Sequence, residues 1–238
     1  MKRFLVTVLS LALGLSALGA ARRDIGTLRP DTDQVASAGG SVLLGGRTDR
    51  TRAAVRRVLR RREVGTYIAE ILAERDSSLA RWPDRDEPLR VWIQDASPVG
   101  DWQPAYVDSV RAAFGDWNAV GLPVHFRFVT DSAHAEVHVT WIDHFDEPIS
   151  GRTKWARDDD WWITDGDIVL AVHHHHGAVL EDDAMKAIAL HEIGHLIGLD
   201  HTESSENIMA ARVRVRSLSP ADVATARLLY TLPPGAVR

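Results

Sequence analysis

The segment from His191 to His201, with the sequence HEIGHLIGLDH, constrains the fold of this chain more than any other segment. Residues four positions apart on an α-helix lie on the same face, one turn from each other. A helix through this segment therefore places the imidazoles of His191 and His195 side by side, at a spacing that suits one metal ion. Gly198 allows the chain to leave the helix in a conformation that other residues resist, so that His201 can return toward the same ion.

Three histidine ligands leave one coordination position open, which is typical of a catalytic zinc site and not of a closed structural one. Glu192 follows the first histidine, where its carboxylate can reach a metal-bound water without being a ligand. Met209 lies further on, in the sequence Asn207-Ile208-Met209-Ala210. The pattern H-E-x-x-H-x-x-G-x-x-H followed by a methionine turn matches the metzincin signature. A short helical motif can arise by chance, but this longer pattern together with the methionine turn makes chance a poor explanation.

The chain from His191 to Pro233 resembles the matrixins, the metzincin branch that contains the matrix metalloproteases. Leu218 to Tyr230 resembles the matrixin C-terminal helix, and Val110 to Phe128 resembles the first helix and the strand that follows it. The similarity covers roughly residues 88–233 and is weakest between residues 142 and 165. It implies an α+β metzincin (zincin-like) catalytic domain, with a twisted mixed sheet, an antiparallel edge strand, a long zinc helix and a C-terminal helix.

The resemblance also implies roles for individual residues. His191, His195 and His201 are expected to bind one catalytic Zn²⁺, with Glu192 as the general base and acid and Met209 as a structural residue beneath the metal. The antiparallel edge strand beside the cleft is expected to consist of Ile168, Val169, Leu170, Ala171 and Val172. An edge strand has unpaired backbone groups that can bind an extended peptide. The expected function is therefore zinc-dependent hydrolysis of peptide bonds in a polypeptide substrate.

Two other functions are compatible with parts of the sequence. A non-catalytic zinc-binding or metal-buffering protein could use the histidine run His173–His176. Metal storage does not require Glu192, however, which favours the enzyme. An adaptor for an anionic partner could use the arginine-rich segment 47–62.

Composition limits the function further. The chain has 238 residues, enough for one domain with a sizeable core and additional segments. Its net charge of −5 argues against nucleic acid as a partner. The absence of cysteine excludes disulfides, thiolate zinc ligands and a cysteine nucleophile. It also excludes the cysteine by which matrixin pro-segments usually cap the zinc.

The first 21 residues are predicted to be a secretory signal peptide. Met1–Arg3 is positively charged, Phe4–Leu18 is apolar, and small residues at Gly19–Ala21 suit cleavage near Ala20 or Ala21. An uncleaved membrane anchor is the alternative, but the apolar run is shorter than the ~20 residues that a span needs. We expect a secreted or periplasmic monomer without a stable membrane span in its mature form.

Residues 22–87 are predicted to be a linker followed by a helical extension or a pro-segment. Residues 22–46 show no sustained periodicity and indicate a linker. The arginine-rich segment 47–63 is compatible with a solvated basic helix, a surface for an anionic partner, or part of a pro-segment. From Val64 to Leu79, apolar residues recur at helical spacing and predict an amphipathic helix. The sequence leaves open whether this region is removed.

Residues 88–238 are predicted to form the catalytic domain. The predicted strands are Leu89–Ile93, Val124–Val129, Glu136–Trp141 and Ile168–Val172, and the predicted helices are Tyr106–Val120, Asp183–Ile197 and a last helix ending at about Tyr230. Ser219 is expected to cap the last helix. Asp222 either completes a capping box or bonds toward the methionine turn, and the two roles are compatible.

Three further features have more than one interpretation. Four consecutive histidines cannot all face one ion, but two of His173–His176 could form a second metal site with His144 or Asp146. Asp158–Asp160 with Asp165 and Asp167 form either a calcium site or a solvated loop. Arg212, Arg214 and Arg216 either face solvent or contribute one inward side chain that selects an acidic residue after the cut. The lone histidines His125, His134 and His138 are expected to be packing or surface residues.

Overall fold

The computed structural model describes residues 53–236 and the backbone of one strand near the N-terminus, Phe4–Val8. The predicted cleavage site near Ala20 and Ala21, the linker 22–46 and the start of the arginine-rich segment lie outside the described residues. The signal peptide therefore stays a prediction. Among the helices of the described part, none is long and apolar enough to cross a membrane.

Strands and helices are interspersed along the described chain. The strands are β1 (Phe4–Val8), β2 (Ser78–Leu79), β3 (Leu89–Ile93), β4 (Phe126–Val129), β5 (Val137–Ile142), β6 (Gly151–Arg157), β7 (Ile163–Ala171) and β8 (Gly235–Ala236). The helices are α1 (described over 53–62), α2 (Ile68–Glu74), α3 (Ala105–Asn118), α4 (Asp182–Leu196) and α5 (Pro220–Tyr230), with a 3₁₀ turn at Ser132–His134. The domain is thus the mixed α+β type that the resemblance implies.

The main sheet has the strand order β1-β6-β7-β5-β3-β4. Strands β4, β3, β5 and β7 pair in parallel, whereas β6 pairs antiparallel with β7 and β1 pairs antiparallel with β6. Helix α4 packs against α3 and against β6 and β7. Trp117 of α3 is buried and donates its indole N–H to the carbonyl of Leu190, 2.9 Å away, which ties the two helices together.

The prediction that Ile168–Val172 forms the edge of the sheet was wrong. Strand β7 begins five positions earlier than predicted and pairs along both sides, with β6 on one side and β5 on the other. Its backbone groups are therefore already used by the sheet. The antiparallel strand that contacts Glu192 of the motif is β6.

Strand β6 escaped the sequence prediction because its inward positions are not those of a hydrophobic strand. The residues Gly151, Thr153 and Trp155 are buried, and the residues between them are the charged Arg152 and Lys154. Only Trp155 supplies a large apolar side chain, so the strand lacks the alternation that identifies half-buried strands. Two of the inward residues, Gly151 and Thr153, face Glu192 of α4 instead of the apolar core.

The N-terminal extension is helical, but less so than predicted. Helix α1 buries Val55 and Leu59 in the core and leaves its arginines exposed, as in the solvated-helix interpretation. Helix α2 covers only Ile68–Glu74, and Val64 is 89% exposed. The helix stops where the consecutive residues Asp76 and Ser77 adopt left-handed backbone conformations, with φ of 47° and 63°.

The extension then continues as part of the same core. Leu79 lies in β2, which pairs antiparallel with β8 at the other end of the chain. Trp82 is buried and donates its indole N–H to the carbonyl of Leu196 at 2.9 Å. Residues 67–82 and the zinc helix thus share one hydrophobic cluster.

The turn that follows α4 requires glycine at position 198. The N–H of Gly198 bonds to the carbonyl of His195 and the N–H of Leu199 to the carbonyl of Gly194, as in a Schellman motif. Gly198 has φ of 103°, and a Cβ atom there would lie 2.1 Å from the carbonyl oxygen of Ala80. Both the backbone conformation and the close approach of the extension therefore require glycine.

We predict that Gly198→Ala lowers the free energy of unfolding by more than about 3 kcal/mol, because left-handed strain adds to a clash with backbone. Gly121 is the matched control, since it has φ of 75° but open space around its Cα. Gly121→Ala should cost only about 1–2 kcal/mol. Denaturant unfolding of both variants measures the difference, and equal losses would contradict the clash.

Candidate metal centre

The three histidines of the sequence motif converge in the structure. The Nε2 atom of His195 lies 3.1 Å from Nε2 of His191 and 3.2 Å from Nε2 of His201. Two nitrogens bound at ~2.05 Å to a tetrahedral Zn²⁺ would lie about 3.3 Å apart, so the observed spacing fits that ion. In the described part of the chain, these residues form the one group whose three ligand atoms lie within 4.8 Å of one another.

Hydrogen bonds on the far side of two rings prepare Nε2 for a metal. Nδ1 of His191 lies 2.8 Å from the carbonyl oxygen of Ile208, and Nδ1 of His195 lies 3.2 Å from that of Leu199. A carbonyl oxygen only accepts, so each Nδ1 carries the proton and each Nε2 keeps its lone pair. The methionine turn and the loop after the zinc helix therefore orient the first two ligands.

Burial keeps the three imidazoles neutral. Desolvation lowers the pKa of His191 to about 4, with a further contribution from His201. Desolvation also lowers the pKa of His195 well below its ordinary value, and lowers that of His201. Neutral imidazole is the form that binds metal, so at neutral pH the site is ready to do so.

The carboxylate of Glu192, the residue after His191, lies against β6. Glu192 is buried, and Oγ1 of Thr153 lies 2.6 Å from its Oε2 and 2.9 Å from its backbone carbonyl. Thr153 is itself fully buried on β6. Its hydroxyl has one proton and so donates to one of these acceptors at a time. Sequence reasoning missed Thr153 because it missed the strand; the only signal was a polar residue at an inward position.

Met209 lies beneath the zinc helix. It is fully buried, and a Cβ on Gly194 would lie 2.2 Å from its sulfur. The carbonyl of Met209 accepts a hydrogen bond from the N–H of Thr202 at 3.0 Å. The glycine inside the motif therefore lets the methionine turn approach the helix closely, which suits the structural role inferred from the sequence.

Asp222 performs both of the roles that the sequence left open. Its Oδ2 accepts from the N–H of Ser219 at 2.8 Å, which completes the capping box of α5, and from the N–H of Ile208 at 2.9 Å in the methionine turn. Its Oδ1 accepts from the hydroxyl of Tyr67 at 2.9 Å. One buried carboxylate thus joins the last helix, the methionine turn and the N-terminal extension.

The histidine run does not form a second metal centre in the described structure. His173 lies between two carboxylates, with Nε2 3.0 Å from Asp101 and Nδ1 2.9 Å from Asp143. His175 lies 3.1 Å from the carbonyl of Phe145. His173 and His175 therefore have different partners, and no three ligand atoms of this run and its neighbours converge within the described residues.

The remaining candidate sites are loop and surface features. The carboxylate of Asp158 accepts from the N–H groups of Asp160 and Trp162, so it stabilises the turn between β6 and β7 and gives no support to a calcium site. Three arginines after the methionine turn are exposed, which agrees with the solvent-facing interpretation; they are Arg212, Arg214 and Arg216. The lone histidines also lie outside the core, as expected; they are His125, His134 and His138.

Comparison with known proteins agrees with this geometry. The family model described as Matrixin matches residues 93–231, more than half of the chain. The chain belongs to the matrixin family. It therefore carries a matrixin-like metalloprotease domain, and this family implies zinc at the histidine triad. The match begins after the N-terminal extension.

Three curated plant proteins are similar to this matrixin. Metalloendoproteinase 1 of Glycine max is 24% identical over 159 residues, which are 58% of this chain and 50% of that protein. Metalloendoproteinase 1-MMP of Arabidopsis thaliana is 30% identical over 141 residues, covering 50% and 36%. Metalloendoproteinase 5-MMP of Arabidopsis thaliana is 32% identical over 68 residues, covering 29% and 18%. The chain thus spans half or less of the length of these relatives.

We predict that His201→Ala weakens zinc binding more than the ~10–100-fold that the loss of an outer-shell partner costs. His173→Ala is the control, because His173 lies outside the triad and should leave zinc affinity unchanged. Titration of the metal-free protein against a competing chelator measures both. Unchanged affinity in His201→Ala would contradict the three-histidine site, and a loss in His173→Ala would reopen a second one.

The metal-free protein should lose stability as the pH falls from about 6.5 toward about 4. His191 has a pKa of about 4 in the folded chain and an ordinary value of 6.5, so between these values only the unfolded chain binds its proton. The free energy of unfolding is therefore unaffected above about 6.5 and decreases below it. Denaturant unfolding with a chelator present tests this at several pH values. His191→Gln should show a shallower decrease between pH 6.5 and 5; identical profiles would refute the assignment.

Proposed function

We propose that this protein is an exported zinc endopeptidase that cleaves polypeptides bound along β6. The observation that carries the proposal is a triad of convergent Nε2 atoms in which the first histidine is followed directly by the buried Glu192. Metal storage would need the ligands but not this carboxylate. The separate partners of the histidine run also give the metal-buffering alternative no second group of ligands.

The histidines and Glu192 divide the chemistry between them. His191, His195 and His201 would hold the ion, which would polarise the peptide carbonyl and make the attacking water more acidic. Glu192 takes the proton of the attacking water and passes it to the leaving amine. Thr153 limits the movement of the Glu192 carboxylate by donating its hydroxyl proton at 2.6 Å. Burial of Glu192 keeps other water from competing for its oxygens.

The substrate is expected to bind as an extended peptide that pairs its backbone with β6. In the structure, β1 extends the sheet beyond β6 in antiparallel register, from Phe4 opposite Arg157 to Val8 opposite Thr153. This pairing supports the idea that the outer edge of β6 accepts an extended peptide. Because Phe4–Val8 falls within the predicted signal peptide, its removal on export would free that edge beside Glu192 for a substrate.

Hydrolysis of unfolded casein by the exported protein tests this function. We expect cleavage that a zinc chelator abolishes, and a mature N-terminus near Ala21. Glu192→Gln keeps the shape of the side chain but removes the base, so it should retain zinc and lose at least ~10²-fold in rate. Glu206→Gln, at an exposed glutamate nearby, is the matched control and should retain full activity.

Two results would overturn the proposal. Wild-type turnover by zinc-loaded Glu192→Gln would remove the role of this carboxylate. A zinc-loaded wild-type protein that cleaves neither casein nor a library of unstructured peptides would leave a zinc-binding domain without the proposed activity.

A further inference from the structure

Arg75, just after α2 in the N-terminal extension, binds the loop that connects the second and third histidines. Its Nε lies 2.7 Å from Oδ2 of Asp200. Its Nη1 and Nη2 each donate at 2.9 Å, to the carbonyls of Gly198 and Leu199 respectively. Only 10% of the Arg75 side chain and 9% of the Asp200 side chain are exposed. One guanidinium thus contacts three consecutive residues between His195 and His201.

These contacts reach the ligands through one intermediate group each. The carbonyl of Leu199 also accepts from Nδ1 of His195 at 3.2 Å, and Oδ1 of Asp200 accepts from the N–H of His201 at 2.9 Å. Arg75 therefore orders both the acceptor that orients the second ligand and the backbone that carries the third. Because Asp200 balances its charge, Arg75 does so without adding net charge beside the metal.

Two other residues of the extension contact this loop or the residues just after His201. The carbonyl of Ala80 lies where only glycine fits at position 198, and the carboxylate of Glu70 accepts from the N–H of Glu203 at 2.8 Å. The ring of Trp155 lies 5.5 Å from Cζ of Arg75 and covers it from the side of β6. All of the contacts from the extension come from residues outside the matched matrixin segment 93–231.

We propose that Arg75 is a positioning residue for the zinc ligands, and that Tyr67–Trp82 is a permanent part of the metalloprotease domain and not a removable pro-segment. The planar guanidinium suits this role because its donors form a rigid fork, whereas a lysine ammonium is a single point. Without Arg75, the carbonyls of Gly198 and Leu199 lose buried donors and the loop gains freedom, so ordering His201 on the ion costs more. The inference rests on zinc binding as in the proposed function, but not on proteolysis.

Zinc affinity of the metal-free full-length protein, measured against a competing chelator, tests the role of Arg75. Arg75→Met should bind zinc ~10–100-fold more weakly than wild type. Arg85→Met is the matched control, because it breaks another short ion pair of the extension, 2.8 Å long, whose partner Glu136 lies outside the loop. It should leave zinc affinity unchanged. The visible spectrum of the Co²⁺-loaded proteins should change in Arg75→Met only, since it reports ligand geometry.

The outcomes separate this inference from its alternatives. If wild type does not bind zinc, the proposed function fails with it; if wild type and Arg75→Met bind zinc equally, only the positioning role fails. A purely structural role would lower thermal stability in both variants without changing the Co²⁺ spectrum. Should Arg75→Met not fold, Arg75→Lys decides: it keeps the charge but not the fork, and wild-type zinc affinity in it would overturn the role.

The N-terminus of the processed protein tests the second half of the proposal. Sequencing of the mature, zinc-loaded form should find a start upstream of Tyr67. A zinc-loaded, active form that begins after Arg75 would show that the extension is dispensable and would overturn the proposal.

Discussion

Three neutral imidazoles held together in the protein interior are the constraint on which the rest of this structure depends. Their nitrogens lie 3.1 and 3.2 Å apart, a distance at which charged rings would repel strongly in so buried a position. Burial favours the neutral form, and the backbone carbonyls of Ile208 and Leu199 set which nitrogen faces the metal. The packing around α4 therefore stabilises the fold and also keeps the imidazoles in the neutral form that binds metal.

Buried charged side chains hold the segments that carry these carbonyls. Asp222 fixes the methionine turn through the N–H of Ile208 and joins it to α5 and to Tyr67. Arg75 fixes the loop after α4 in a similar way. Each group is surrounded by several hydrogen-bond partners, which offsets the cost of removing its charge from water. Both connections reach the N-terminal extension, so the metal centre is built by more of the chain than the family motif covers.

Strand β6 contacts two of the side chains on which the site depends. This strand brings Thr153 to Glu192 and, through Trp155, also covers Arg75. Of its inward side chains, Thr153 contacts the carboxylate and Trp155 the guanidinium, so the strand has only one large apolar side chain at these positions. The same strand thus contacts both the carboxylate of Glu192 and the guanidinium that binds the loop before His201.

Much of the fold and of the metal centre could be predicted from the sequence, because these features depend on the geometry of residues that are close together in the chain. The helical repeat places His191 and His195 on one face, Gly198 ends the helix, and Ser219 with Asp222 forms a capping box, all within a few residues of each other. The segments Leu89–Ile93 and 106–118 also lie where their apolar patterns predict.

Tertiary structure alone decided what depends on distant segments. Ile168–Val172 is not the edge of the sheet, because β6 pairs along the outer side of β7. Strand order follows from pairings that no local pattern encodes. Arg75 and Asp200 are 125 positions apart, and Tyr67 and Asp222 are 155 apart, so neither contact has a signature in the sequence. The sequence by itself determined the ligands, since helical spacing presents them together. Only the folded chain determined which residues hold them in place, since those residues meet through long-range packing.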